Sequence, residues 1–535
     1  MYDFIIQDGQ VIDGTGSPAH RMDLAISGDR IAAMGDLSSA QAFKIIDAKD
    51  RIVTPGFIDA HAHSDTYLLI EPDAPSKLTQ GITTEINGQC GGSSAPRLGR
   101  ARLPSDWASR FYPQAKRDST GTEGREAGPT WSTLAEYREL FEQVGPAINT
   151  VQFVGHNTLR AGVMGYEPRE ASADEIREMR HRLEQALEEG GWGLSTGSFY
   201  QPGKYAAPLE IETLARATAQ AGGLYASHIR NEGDTLLESV EEVLRLVEKT
   251  GIRAQISHLK TAGPSNWHKI DALLSTLNHA RQKGLCVHAD RYPYLASGTD
   301  LDIVLPEWAS AGGRDVILGH LRHPATRTRI EEELDALPRD WSSAMIGGGW
   351  TPEVRAISGR TLPEAAHHFG RSIGQTICHI IDLDDTRTGA FFFGMCEENM
   401  LRILSEPWVM PGSDASLRAP WGVLGEDHPH PRAYGTLPKF MNVLTRQLGL
   451  SFEETIQRMT SLPATAFGIR DRGILRVGAY ADIVVLTRSA LIDVATYASP
   501  HQFSTGINHV FINGAHPYSE GRFTGHRRGR FLTRS

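Results

Sequence analysis

The segment Gly56-Phe57-Ile58-Asp59-Ala60-His61-Ala62-His63-Ser64-Asp65 passes from an apolar stretch into two histidines separated by one residue. An extended strand turns residues i and i+2 to the same side, so His61 and His63 can present two imidazoles to one ion from a single rigid element. Taken alone, the pair is equally compatible with packed or exposed histidines that bind nothing. It becomes half of a metal site only if further ligands stand at the ends of other strands.

Such residues follow along the chain. His228 closes the run Leu224-Tyr225-Ala226-Ser227-His228, and His258 closes Ala254-Gln255-Ile256-Ser257-His258. Around them strands and helices alternate. Strands are expected at 150–155, 193–196, 223–227, 253–257 and 285–289, and helices at 173–190, 210–221, 235–250 and 270–283. Alternation of this kind predicts a parallel sheet covered by helices and closed into a (β/α)8 barrel. The C-terminal strand ends of a barrel converge on one mouth, which brings histidines far apart in sequence to one place.

Two more residues belong with these histidines. Cys90 follows Thr83-Thr84-Glu85-Ile86-Asn87-Gly88-Gln89 and precedes Gly91-Gly92, a strand running into a tight loop. It is either a thiolate ligand or a buried structural cysteine; histidine and cysteine together favour zinc. Asp414 lies in Trp408-Val409-Met410-Pro411-Gly412-Ser413-Asp414-Ala415-Ser416 and can be a ligand, a base or a helix cap. A carboxylate at a barrel strand end opposite zinc is best explained as a proton shuttle.

The chain ends have a different texture. Short strands are expected at 4–7, 11–12, 23–27, 30–34 and 44–47, with turns at Asp8-Gly9 and Gly28-Asp29. The runs Ala481-Asp482-Ile483-Val484-Val485-Leu486 and His509-Val510-Phe511-Ile512-Asn513-Gly514 read the same way. The expected organisation is a small β-sandwich domain from 1–55 plus 473–535, and a barrel over 56–472. An insertion at about 303–355, where the barrel rhythm lapses, is expected to cover the site.

With 40% hydrophobic and 22% charged residues among 535, and a net charge of -10, the composition is that of a folded globular protein without a nucleic-acid surface. The basic run from His526 to Arg530 reads as a solvated tail. The four cysteines are scattered, which predicts a reducing, cytoplasmic setting. The opening Met-Tyr-Asp-Phe does not read as a leader, and no long apolar run predicts a membrane partner. Homo-oligomer formation is left open.

The Pro55-Gly56-Phe57-Ile58-Asp59 opening with its histidines, the two single-histidine strands and Gly412-Ser413-Asp414 resemble the amidohydrolase superfamily. Four further stretches resemble its N-acyl-D-amino-acid deacylase, or D-aminoacylase, branch. They are Gly88-Gln89-Cys90-Gly91; Leu194-Ser195-Thr196-Gly197 with Tyr200-Gln201-Pro202-Gly203-Lys204-Tyr205-Ala206; Ile256-Ser257-His258-Leu259-Lys260; and His428-Pro429-His430-Pro431-Arg432.

The resemblance implies that Cys90, His228 and His258 are the ligands of one tight Zn2+, with His61 and His63 lining a second, weaker position. It implies that Asp414 is the acid/base, and that Lys260 and Tyr292 hold the carboxylate of a small N-acylated amino acid with help from Ser297. Leu295-Ala296-Ser297-Gly298-Thr299 departs from the family wording at that point. Arg418 either meets an acidic substrate side chain or bridges surface acids. The implied chemistry is hydrolysis of an N-acyl-D-amino acid, zinc-activated water attacking while Asp414 moves its proton to the departing amine.

Two other readings stand beside it. A cyclic-amide hydrolase on the same barrel typically bridges two metals with a lysine at a mid-barrel strand end, and 193–196 contains none. An assembly protein with a dead site would lack ligands, and here none is missing.

Overall fold

In the computed structural model, which describes residues 1–103 and 131–534, eight parallel strands close a barrel. They are Phe57–Asp59, Ile82–Asn87, Asn149–Gln152 continued by Val154–Gly155, and Gly193–Gly197. Leu224–His228, Arg253–Ile256, Val287–Arg291 and Val409–Pro411 complete it. Each pairs in parallel with its neighbour. The last strand meets the first where the Ala60 N–H donates to the Pro411 carbonyl at 3.0 Å and Ala62 bridges Ala415.

The helices outside the barrel follow from apolar spacing and end signals. Ala173–Glu188 starts at a capping box, Ser172 with Glu175, and turns Met179, Leu183, Ala186 and Leu187 inward at helical spacing. Leu236–Thr250 buries Leu236, Val240, Val243 and Val247 and stops at Gly251, whose φ of 68° suits a residue without a Cβ. The helix expected from 210 begins earlier, as Pro208–Gln220, because proline's fixed φ fits the first helical turn. Cutting a fully buried side chain such as Leu183 to alanine would cost about 2–5 kcal/mol.

Strands from both chain ends form one nine-stranded sheet. Ile52–Pro55 pairs antiparallel with Ile483–Leu486, stitching the early chain to the late. Ile6, Val11, Leu24, Ile26, Val53, Ile483, Val485 and Phe511 share one apolar core there. The basic side chains from His526 to Arg530 are exposed, as expected, but the residues just beyond them are docked. Phe531–Leu532 adds a parallel strand beside Asn149–Gln152, and the Phe531 ring is buried edge-on against Tyr137 and Phe141. Burial of the aromatic ring docks the chain end while the basic side chains stay in solvent, Arg530 pairing with Asp29 at 2.7 Å.

Between Val287–Arg291 and Val409–Pro411 the chain leaves the barrel and builds a separate core from Leu301, Ile317, Leu321, Ile330, Ile346, Ile377, Ile381 and Ala390. This unit runs well past the expected end near 355. Ser372 with Gln375 starts the helix Ile373–Leu383, and the strand Gly389–Phe393 returns to pair with Ala296–Asp300, placing Phe393 opposite Ala296. That strand pair, joined by Ala344–Ile346 on its other edge, closes the insertion. Among the described residues no helix is long and apolar enough to cross a membrane.

Candidate functional site

His228 is the last residue of its strand, while Cys90, His258 and Asp414 stand just beyond theirs, so all four reach the barrel mouth. There Cys90 Sγ lies 3.3 Å from His61 Nε2 and 3.5 Å from His258 Nε2. His61 Nε2 lies 3.3 Å from His63 Nε2, and Asp414 Oδ1 sits 3.0 Å from His63 Nε2 and 3.3 Å from His61 Nε2. One donor atom from each of His61, Cys90, His258 and Asp414 falls within 4.8 Å of the others, as it does for His228, Glu232 and His258. His228 packs its ring 4.4 Å from that of His258, and neither of its buried ring nitrogens has a hydrogen-bond partner.

Charge and burial in this cluster suit a cation. Burial opposes ionisation of the Cys90 thiol, but the charge of His61 and the adjacent His228 and His258 rings outweigh it, holding the thiol well below its ordinary range. Burial likewise opposes the Asp414 carboxylate, which the Arg432 guanidinium 2.7 Å away keeps well below the usual range. Against burial, Asp414 and Cys90 lift His63 to about 9. Burial and Lys260 lower His258, yet Glu232, Asp414 and Cys90 lift it to about 10. The field that draws protons onto these rings also draws a divalent cation, and a thiolate–imidazole donor set with two unpartnered nitrogens on His228 fits zinc.

A second layer orients the rings. Asp290 Oδ1 lies 3.3 Å from His61 Nδ1, and Glu232 Oε1 lies 2.9 Å from His258 Nδ1. Carboxylates behind metal-binding imidazoles fix the tautomer and raise ligand basicity.

The expected substrate residues divide. Lys260 is buried, with Nζ 2.7 Å from His258 Nδ1 and ion-paired to Glu232. Tyr292 is buried with a hydroxyl that has no partner, and its ring carries Arg291 at 4.4 Å, Arg432 at 4.8 Å and Lys260 at 5.9 Å. Ser297, on the strand Ala296–Asp300, faces the same cavity of about 1260 Å³ as Cys90, His228, Lys260, Tyr292 and Asp414. Arg418 is not among the described residues that line it. Its guanidinium meets Asp427 at 3.0 Å and stacks on Tyr67 at 4.6 Å, because a nearly buried cation needs a fixed carboxylate and Asp427 is on the same loop.

Three residues at the site carried no assigned role in the sequence. Arg432 lies in the His428-Pro429-His430-Pro431-Arg432 run, whose composition marks it without giving it a partner. Glu232 is four residues after His228, a spacing that could have flagged it. Asp290 is the penultimate residue of the strand Val287–Arg291, and barrel closure brings it to His61.

A family model described as Amidohydrolase family matches residues 44–273 and 403–516. An N-acyl-D-glutamate deacylase of Alcaligenes xylosoxydans xylosoxydans is 37% identical over 536 residues, covering 99% of this chain and 96% of that relative. A D-aminoacylase from the same organism is 34% identical over 537 residues, covering 100% and 98%. A solved N-acyl-D-glutamate deacylase from Bordetella bronchiseptica is complexed with zinc and a phosphonate that mimics the tetrahedral intermediate. It matches with a TM-score of 0.82 and 33% identity, covering 100% of both chains.

Proposed function

The chain belongs to the amidohydrolase family, in its N-acyl-D-amino-acid deacylase branch, and from that premise we propose how its site is used. The reaction is hydrolysis of the amide bond of an N-acyl-D-amino acid, giving a carboxylate and a free D-amino acid. Cys90, His228 and His258 hold one zinc ion tightly, and His61 and His63 border a second, weaker position. Zinc so held supplies a Lewis acid that polarises the scissile carbonyl and lowers the pKa of water from about 15.7 toward ~7.

The remaining chemistry belongs to the side chains. Asp414, kept ionised by Arg432, takes the proton of the attacking water and gives it to the amine nitrogen, which leaves poorly unless protonated. The cations around Tyr292 receive the substrate carboxylate, with the Tyr292 hydroxyl free to donate to it and Ser297 beside it. Fixing the acyl carbonyl, the carboxylate and the side chain at three points around the α-carbon selects one enantiomer. The unpaired cysteines favour a cytoplasmic setting.

The observation that carries this reading is the cluster at the barrel mouth, with Cys90 Sγ 3.3 Å and 3.5 Å from the His61 and His258 imidazoles and Asp414 Oδ1 3.3 Å from the same His61 nitrogen. A cyclic-amide hydrolase is disfavoured, because the strand Gly193–Gly197 carries no lysine to bridge metals. The deciding experiment measures zinc content and turnover on N-acetyl-D-amino acids, their L-enantiomers and hydantoins. At least one zinc per chain and a preference for D substrates are expected. Full activity in metal-free protein, or faster turnover of L substrates or hydantoins, would overturn the assignment.

A further inference from the structure

We propose that Asp65 and Ser195 are positioning residues that clasp the loop presenting Cys90, and that this clasp sets zinc affinity. The inference rests on Cys90 being a ligand. Gly88, Cys90 and Gly91 all have positive φ, at 74°, 54° and 77°. The glycines are suited to it, since a Cβ at Gly88 would run into the Phe153 carbonyl and one at Gly91 into Asn157 and the Gly197 backbone. Cys90 is not: with a Cβ, the left-handed region is unfavourable, and no strand ladder runs through the loop to hold it there. Inside the loop one turn spans it, the Gly92 N–H donating to the Gln89 carbonyl at 3.0 Å, and the remaining support comes from outside the loop.

Asp65 supplies it at both ends. One carboxylate oxygen accepts the Gly88 N–H at 3.3 Å where the loop begins; the other accepts the Ser94 N–H at 3.2 Å where it ends. The latter oxygen also accepts from Gln152 Nε2 at 2.6 Å. The Tyr137 hydroxyl donates to the Asp65 carbonyl at 2.7 Å, and Asp65 is 2% exposed, so the carboxylate itself is anchored. Ser195 grips the middle from the strand Gly193–Gly197, two strands along the barrel. Its hydroxyl donates to the Gly88 carbonyl and accepts the Gly91 N–H at 3.2 Å, on either side of Cys90.

None of these hydrogen bonds involves the Cys90 side chain. They fix the backbone on which the sulfur rides, and a thiolate displaced from its partners loses metal affinity without any ligand being removed. Asparagine at 65 keeps the shape but turns an amide N–H toward groups that are all donors.

The test uses the full-length chain with Asp65→Asn and Ser195→Ala, reading zinc affinity by chelator competition and the thiolate-to-metal charge-transfer band after cobalt loading. Each variant is expected to bind zinc about 10- to 100-fold more weakly and to show a weakened or shifted band. Wild-type affinity, or weakened affinity with an unchanged band, overturns the proposal. Should Asp65→Asn fail to fold, Ser195→Ala, which removes a single hydroxyl, is judged by the same two readouts. Wild-type zinc affinity in Cys90→Ala overturns the ligand assignment and the proposal together, an outcome distinct from failure of the clasp alone.

Discussion

The Asp59 carboxylate on the first barrel strand accepts both the backbone N–H of Ser413, at 2.8 Å, and the Ser413 hydroxyl. That contact ties the opening motif to the residue just before Asp414, which itself adopts a φ of 49°. Lys77 completes the arrangement: Nζ lies 2.6 Å from Glu85 and 3.4 Å from Asp59, and donates to the Ala415 carbonyl at 3.1 Å. The catalytic carboxylate proposed above is therefore held from both sides by a buried network of charge.

Replacing Lys77 with methionine should destabilise the fold by about 3–5 kcal/mol, because it strands two fully buried carboxylates without their cation. Denaturant unfolding measures this. The same variant should lose turnover, since the Ser413 and Ala415 contacts that flank Asp414 loosen; a variant as stable as the parent would show that the network carries no such energy.

Asp414→Asn should lower turnover by about 10²- to 10⁴-fold while zinc content stays at the level of the parent. The amide retains the shape of the side chain and cannot move the proton. Unchanged turnover would remove Asp414 from proton transfer.

Arg432→Met should both raise KM for N-acyl-D-amino acids and lower kcat, because the same guanidinium keeps the Asp414 carboxylate ionised. The guanidinium lies over Tyr292 in the cavity, where it adds to the attraction for the substrate carboxylate. Initial-rate kinetics on one good substrate separates the two constants, and an unchanged KM would place carboxylate recognition elsewhere.

Stability should fall on the acid side through His516. Burial and then the nearby His509 and Lys44 depress its pKa to about 3 from an ordinary 6.5. Below pH 6.5 the unfolded chain takes up a proton that the folded one refuses, so this contribution is complete above 6.5 and lost as pH falls toward 3. The loss is on the order of a few kcal/mol. His516→Phe preserves the stack on Phe511, 4.2 Å away, and should flatten the acid limb of unfolding midpoint against pH. An unaltered acid limb would exclude His516 as its source.

Alternating strand and helix patterns, and histidines closing Leu224–His228 and following Arg253–Ile256, are local features, and they made the barrel and its mouth legible. The His61-Ala62-His63 spacing worked the same way, because side-chain direction along a strand follows from backbone period alone. Partnerships across loops were not legible. Arg418 finds Asp427, Arg432 finds Asp414, and Lys260 pairs with Glu232. The insertion closes where Gly389–Phe393 returns to Ala296–Asp300, a pairing far from the expected end near 355.

By itself, then, the sequence determined the strand and helix period and which chemical groups reach strand ends, since both are short-range properties of the chain. Only the tertiary structure decided which charge meets which, and that Asp59 and Asp65 of the opening motif hold the backbone around Asp414 and Cys90. Those contacts depend on barrel closure, which brings together segments that no local pattern relates.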